Sequence, residues 1–149
     1  MRFLLVDRIT ELETGLRATG LKNVTLSEDF FTHHFPAHPI MPGALITECL
    51  IQLADWLLRE STDFECIAFP SGIELVKFHR LVRPGDQLQL EVEIVGREDG
   101  VFRIRGEARC QDKVAASARL EMRTLPVVDF QSAEESRAAY RMIRGTTGQ

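Results

Sequence analysis

The chain has 149 residues, a mass of 16.9 kDa and a formal net charge of -4. This length suits one domain with its own apolar core, and 44% hydrophobic with 27% charged residues is the composition of a globular protein. The pI of about 5.6 argues against a nucleic-acid-binding domain, because such a domain is usually basic.

Neither a membrane span nor a secretion signal is predicted. The longest apolar stretch, residues 44–58, is interrupted by polar side chains and is shorter than the ~20 residues that cross a bilayer. The N-terminal segment carries a charge after only four apolar residues, which is unlike a signal peptide. Three widely spaced cysteines favour reduced thiols over a disulfide framework. We therefore expect a cytoplasmic protein.

Two short strands and an ordered loop are predicted at the start of the chain. Residues 3–9 are mostly apolar, and residues 15–26 alternate roughly between apolar and polar positions, as in a half-buried strand. Residues 29–43 are rich in aromatic, histidine and proline residues. Three prolines fall within seven positions of this segment, a density that no regular helix accommodates.

A long helix is predicted from Gly43 to about Arg59. Pro42 precedes it, which is a favoured position for proline at a helix start, and the residues that follow are strong helix formers. Apolar side chains cover nearly the whole circumference of this helix. Such a pattern is typical of a helix that other elements enclose.

Four further segments have strand character: residues 65–76, 86–96, 101–111 and 114–125. Turn residues separate the last three, which predicts antiparallel hairpins. One buried helix, with two strands before it and four after it, indicates an α+β fold in which a curved antiparallel sheet wraps around one long central helix.

The C-terminal part of the chain is set apart from this domain. Residues 132–144 contain helix formers and an apolar stripe at helical spacing, and the residues after them have no such pattern. We therefore assign residues 1–126 to the wrapped domain and residues 127–149 to a partly helical C-terminal tail.

Candidate chemistry is concentrated around His34, Gly43 and Glu48. A carboxyl group on an apolar helix must meet a polar partner or stay protonated, and Gln52 lies one turn after Glu48, where its amide could orient that carboxyl. The backbone N–H groups at the helix start, around Gly43, could stabilise a carbonyl that gains negative charge. A base, an acid and an oxyanion donor together suit an elimination beside a thioester carbonyl.

The ordered string HHFPAHPIMPGALITECLIQ, residues 33–52, resembles the active-site segment of the bacterial beta-hydroxyacyl-[acyl carrier protein] dehydratases. It contains a His-Phe-Pro, a His-Pro and a Met-Pro-Gly in the order typical of that family, then a helix with an acidic residue and a glutamine one turn later. Residues 3–8, 30–31 and 77–88 are similar to that family as well. The resemblance covers roughly residues 3–125.

This resemblance implies a hot-dog fold and the dehydration of (3R)-3-hydroxyacyl thioesters without a metal or organic cofactor. It assigns His34 as the base, Glu48 as the acid, the Gly43 N–H as the oxyanion donor and Gln52 as a residue that supports the acid. It also implies a homodimer, or a trimer of such dimers, in which His34 of one chain meets Glu48 of the other. The glutamate, where isomerising relatives carry aspartate, favours a dehydratase without isomerase activity.

The resemblance further implies an acyl carrier protein as the partner. Carrier proteins are acidic, and Lys77, His79, Arg80 and Arg83 form a basic cluster that would attract one. A solvated strand edge would show the same charges. Five aromatic side chains could line an acyl tunnel or simply pack in the core: Phe30, Phe31, Phe35, Trp56 and Phe78.

Several other interpretations remain open. A metal site at His33, His34, His38 and Glu48 matches no standard zinc spacing, and Cys49 fits a small core residue better than a thiol nucleophile. A hot-dog thioesterase would use the carboxylate alone to direct water at the thioester carbonyl, so the histidine argues for a dehydratase. A non-catalytic acyl-binding subunit would need neither residue.

Overall fold

The computed structural model describes residues 3–145. Its strands and helices are β1 (Arg8–Glu13), β2 (Arg17–Asn23), α1 (Gly43–Ser61), β3 (Cys66–Phe78), β4 (Gln87–Glu98), β5 (Val101–Cys110), β6 (Lys113–Pro126) and α2 (Ala133–Arg144). The strands form one antiparallel sheet in the order β1-β2-β4-β5-β6-β3. Helix α1 packs against β2 to β6. This is the wrapped arrangement that the sequence predicts.

The core lies between α1 and the concave face of the sheet. Leu50, Leu53 and Leu57 of α1 are fully buried, and each contributes roughly 1.5–3 kcal/mol by leaving water. Gly106 of β5 lets the sheet approach the helix closely, since an added Cβ there would lie 3.1 Å from a methyl carbon of Leu50. The helix is therefore enclosed as its apolar circumference predicts.

The first predicted strand is displaced along the chain. Residues 3–7 form no strand, and β1 begins at Arg8 rather than at residue 3. Leu5 and Val6 are nevertheless buried, and the Leu5 N–H donates to a side chain of α1 instead of to a neighbouring strand. The apolar run at residues 3–9 therefore indicates side chains that are buried against α1, and strand pairing begins only at the end of this run.

The predicted hairpins are present between β4 and β5 and between β5 and β6. Each has a two-residue turn, Asp99-Gly100 and Gln111-Asp112, in which both residues have positive φ. Such turns match the right-handed twist of the strands that they join.

The chain between β3 and β4 is a crossing segment instead of a hairpin. Strand β3 pairs only with β6 among the described residues, so residues 79–86 carry the chain across to β4. Val82 in this segment is buried, and its carbonyl accepts a hydrogen bond of 2.8 Å from the Met41 N–H. The crossing segment therefore holds the C-terminal end of the proline-rich loop.

The helix predicted over residues 132–144 is present as α2. Ser132 is its N-cap and forms a capping box with Glu135, and Gly145 ends it in the left-handed region. Tyr140 of α2 packs against Trp56 at the C-terminal end of α1. Residues 146–149 of the proposed tail lie outside the described residues. Within residues 3–145, no helix is long and apolar enough to span a membrane.

Candidate active site

The imidazole of His34 is oriented by the proline-rich loop itself. Its Nδ1 lies 2.8 Å from the carbonyl oxygen of Ile40, and the Ile40 N–H donates back to the His34 carbonyl at 3.0 Å. A carbonyl oxygen can only accept, so Nδ1 must carry the proton in this contact. In the neutral ring Nε2 then has a free lone pair, which is the arrangement that a general base requires.

The carboxyl group of Glu48 is held by Gln52, one turn further along α1. Gln52 Nε2 donates to Glu48 Oε1 at 3.0 Å and also to the Phe3 carbonyl at 3.0 Å. Gln52 Oε1 accepts from the Leu5 N–H at 2.9 Å. These backbone partners fix which end of the amide faces Glu48, because a flipped amide would set donor against donor. The carboxylate therefore faces a donor whose orientation is set from outside the helix.

The start of α1 is closely approached by an aromatic ring. A Cβ at Gly43 would lie 2.6 Å from Cζ of Phe78, so the glycine lets the Phe78 ring rest against the helix in its present position. The N–H groups of Leu45 and Ile46 bond to the Pro42 carbonyl, and those before them are the ones that a helix start leaves without an intrahelical acceptor. They can bind a polarised carbonyl oxygen.

Cys49, next to the proposed acid, is unsuited to nucleophilic chemistry. Burial raises the pKa of its thiol to about 12, with the charges of Glu48 and Asp7 adding to this effect and Lys22 opposing it. Within residues 3–145, no group of three or more histidine, cysteine, aspartate or glutamate side chains is placed to hold a metal ion.

A cavity of about 780 Å³ lies on the outer side of the loop. Exposed apolar side chains of Leu26, Phe35 and Leu81 contribute to its lining, together with Arg83. Of the other predicted docking residues, Lys77 is exposed on β3, whereas Arg80 is half-buried and donates to the Cys110 carbonyl at 3.1 Å. The structure thus leaves Lys77 and Arg83 as accessible cations and uses Arg80 within the fold.

The predicted site residues fall into two groups within one chain. Gly43, Glu48 and Gln52 share α1, whereas His34 is bonded within its own loop. Among the described residues, His34 and Glu48 share no hydrogen bond, and neither lines the cavity beside the loop. The five aromatic residues also separate, with Phe31 and Trp56 buried, Phe30 half-buried, and Phe35 and Phe78 exposed.

Sequence reasoning missed the groups that orient the site from a distance. These are the Ile40 carbonyl and the backbone of residues 3–5, and a buried ion pair of Lys22 with Glu28 ahead of the loop was missed as well. The Ile40 carbonyl and the backbone of residues 3–5 are main-chain groups, so the amino-acid types at these positions do not reveal their roles. Lys22 did leave a signal, because the alternation of Ala18, Gly20 and Val24 places it on the inward face of β2.

Comparisons with known proteins identify relatives of this chain. A family model described as a FabA-like domain matches residues 1–119. The 3-hydroxyacyl-[acyl-carrier-protein] dehydratase FabZ of Bacillus subtilis (strain 168) is 50% identical over 116 residues, which cover 73% of this chain and 82% of the relative. The enzyme of the same name from Bacillus licheniformis is 46% identical over 122 residues, covering 77% and 85%.

A solved structure supports the fold independently of close sequence similarity. The protein smu.793 from Streptococcus mutans UA159, bound to acetyl CoA, superimposes with a TM-score of 0.66 over 85% of this chain and 93% of its own. The two sequences are 15% identical, so this likeness concerns the fold alone. The sheet wrapped around α1 is thus the hot-dog architecture that the motif predicts.

Proposed function

The chain belongs to the FabA-like domain family, and from this premise we propose that it dehydrates 3-hydroxyacyl-[acyl-carrier-protein] to the trans-2-enoyl thioester in fatty acid biosynthesis. The observation that carries the proposal is the hydrogen bond from His34 Nδ1 to the Ile40 carbonyl, which leaves Nε2 free to take a proton. A hot-dog thioesterase does not need a histidine base, because its carboxylate alone can direct water at the thioester carbonyl. The histidine therefore favours elimination.

The proposed reaction uses three groups of this chain. His34 Nε2 removes the proton from the carbon next to the thioester carbonyl, and the backbone N–H at Gly43 stabilises the charge that develops on the carbonyl oxygen. Glu48, in its acid form, protonates the hydroxyl group on the next carbon, which leaves as water while the double bond forms. The imidazolium then returns its proton to the carboxylate through solvent, so both groups regain their starting states.

A homodimer would bring the two halves of the site together. Strand β3 has thirteen residues and lies at the edge of the sheet, where its outer N–H and C=O groups have no neighbouring strand within residues 3–145. Exposed apolar side chains of Ile73, Leu75 and Phe78 lie along it. A long apolar edge of this kind is expected to pair with another chain. We infer that two β3 strands pair in a homodimer in which His34 of one protomer meets Glu48 of its partner, and a trimer of such dimers is compatible with this pairing.

An acyl carrier protein is the proposed substrate carrier. Lys77 at the end of β3 and Arg83 in the crossing segment are exposed cations on a protein whose net charge is -4. Arg83 lines the cavity beside the loop together with Leu26, Phe35 and Leu81, which gives an apolar surface with a positive rim. An acidic carrier would be steered to such a surface.

A reducing compartment such as the cytoplasm suits the three thiols. Cys49, Cys66 and Cys110 are all free, and two of them are buried. Free buried cysteines are characteristic of proteins that fold where disulfides do not persist.

The direct test is to assay the interconversion of 3-hydroxyacyl and trans-2-enoyl thioesters, with thiol release followed in parallel. We expect wild-type activity that falls by roughly 10²–10⁴ in His34→Ala and in Glu48→Gln, because each variant lacks one proton-transfer group. His33→Ala is the matched control, since His33 is an exposed neighbour, and it should remain active. Thiol release would identify a thioesterase instead, and silence with all substrates would identify a non-catalytic subunit.

A further inference from the structure

A buried ion pair lies beneath the loop that carries His34. Lys22 on β2 is only 4% exposed, and its Nζ contacts the carboxylate of Glu28, whose side chain is 23% exposed. Burying an ammonium group is costly, and pairing it with a carboxylate often does no better for stability than apolar residues of the same volume. A contribution to stability alone is therefore a weak explanation for this pair.

Hydrogen bonds connect the pair to the imidazole of His34. Glu28 precedes a 3-10 turn at Asp29–Thr32, and its carbonyl accepts from the Phe31 N–H at 3.1 Å. Within that turn the Phe30 carbonyl accepts from the His34 N–H at 3.0 Å. His34 then bonds through Nδ1 to Ile40. Two successive hydrogen-bonded turns of backbone thus lie between Glu28 and His34.

Both ends of the loop bond to the crossing segment through the backbone, and the N-terminal side also has a charged anchor. At the C-terminal end Met41 is buried and bonds to Val82 by its backbone. At the N-terminal end Val24 is buried and its backbone bonds to Gly85 and Asp86. Residues 25–27 are exposed, and the buried anchors after them are the Phe31 ring and the pair of Lys22 with Glu28. The apolar Phe31 ring fixes how closely the turn packs against the core, but apolar contacts have little directional preference. The ion pair, being a charged hydrogen bond, also fixes its rotation.

We propose that Lys22 and Glu28 are positioning residues for the dehydration, and that their pair sets the orientation of the 3-10 turn and, through it, of the His34 imidazole. The inference rests on the proposed function, in which His34 is the base. A misplaced base lowers the rate of proton transfer without greatly changing substrate binding. The effect should therefore appear in kcat more than in KM.

The test compares two double variants of similar design. Lys22→Met with Glu28→Gln removes both charges, keeps the length of the Glu28 side chain and shortens that of Lys22 by one atom. The matched control is Asp55→Asn with Arg59→Met, which removes a largely buried pair on α1 whose partners are in β3 and α2, away from the loop. We expect kcat of the first variant to fall by about tenfold or more with KM within about twofold, while the control keeps kcat within about twofold of wild type.

A spectroscopic measurement separates positioning from stability. In wild type, 15N NMR of the His34 ring should show the Nδ1–H tautomer, and in the variant lacking the Lys22 and Glu28 charges it should show a mixture of tautomers. If that variant does not fold, Glu28→Asp retains both charges on a shorter arm and should produce the same changes in kcat and tautomer. An unchanged tautomer and unchanged kcat in a folded variant would overturn the proposal.

The same data distinguish failure of this inference from failure of the proposed function. If wild type does not interconvert the thioesters, the function is wrong, whatever the pair does. A tautomer change on removal of the pair would still support the positioning of His34. If wild type is active and the pair variant matches the control in both readouts, the function stands and the pair is only structural.

Discussion

The lack of a side chain at Gly43 leaves room for a substrate carbonyl to approach the start of α1. An added methyl group would meet the Phe78 ring, but that side chain is 53% exposed and can turn into solvent. We therefore expect Gly43→Ala to change the free energy of unfolding by no more than about 1 kcal/mol. Its kcat should fall by roughly 10–10³, because the methyl group lies where the substrate carbonyl approaches the helix N–H. Urea unfolding and steady-state kinetics measure the two quantities.

The control for this prediction combines Gly43→Ala with Phe78→Ala, which removes the ring and keeps the methyl group. If the double variant stays slow, the obstacle is the methyl group. Recovery of activity would show that displacement of the Phe78 ring caused the loss, and wild-type activity in Gly43→Ala alone would contradict the oxyanion role.

At the residue scale, the spacing of nearby residues predicted a contact of the candidate site, whereas contacts with distant backbone groups could not be predicted. The four-residue interval between Glu48 and Gln52 predicted their proximity, and the hydrogen bond is present at 3.0 Å. The groups that orient Gln52 lie 47 and 49 positions away in sequence and are peptide atoms, which every residue has. The roles assigned to His34, Gly43, Glu48 and Gln52 stay predictions.

Helix α2 is held at its start by a capping box that depends on an ionised carboxylate. Hydrogen bonds from the Ser132 N–H and hydroxyl lower the pKa of Glu135 below its ordinary value of 4.5. A lowered folded-state pKa means that the stabilisation is present above the ordinary value and is lost as the pH falls through the folded one. We expect α2 to detach more readily near about pH 3 than near pH 6.

Trp56 provides the measurement for this prediction. It is the only tryptophan, and its ring packs 6.0 Å from that of Tyr140, the only tyrosine, in α2. Its emission during urea unfolding should report the loss of α2 contacts. The pH dependence of this signal should shrink in Glu135→Gln and persist in Glu11→Gln, an exposed control on β1. An equal pH dependence in all three proteins would contradict the role of the capping box.

At the element scale, the periodicity of the sequence predicted the helices and the hairpins correctly. It did not predict which other strands pair. The circumference of α1 and the turn residues around β5 are local signals, and both predictions are confirmed. Strand pairing was predicted wrongly at residues 3–7 and at the crossing segment of residues 79–86. An apolar run gives the same pattern whether it meets a strand or a helix, and a proline-glycine turn does not state which strands lie on either side of it.

At the scale of the whole molecule, the fold class followed from one buried helix and many strands. The sheet order did not, because β3 pairs with β6 rather than with the strand next to it in sequence. That order leaves β3 at the edge, and Pro70 within the strand is a local signal of this that the sequence reasoning did not use, because proline has no N–H to donate to a second neighbouring strand. The partners of His34 and Glu48 within the described residues, the Ile40 carbonyl and the Gln52 amide, likewise emerge only from the complete fold, and they agree with the proposed site shared between two chains.

Mixing two inactive variants tests the shared site most directly. His34→Ala and Glu48→Gln are each expected to be inactive as homodimers, and they can be unfolded together in urea and refolded to exchange protomers. If the site combines His34 of one chain with Glu48 of the other, each heterodimer has one intact site, and random pairing restores about a quarter of the wild-type rate. A mixture that stays as inactive as the separate variants, with heterodimers shown to be present, would contradict the account.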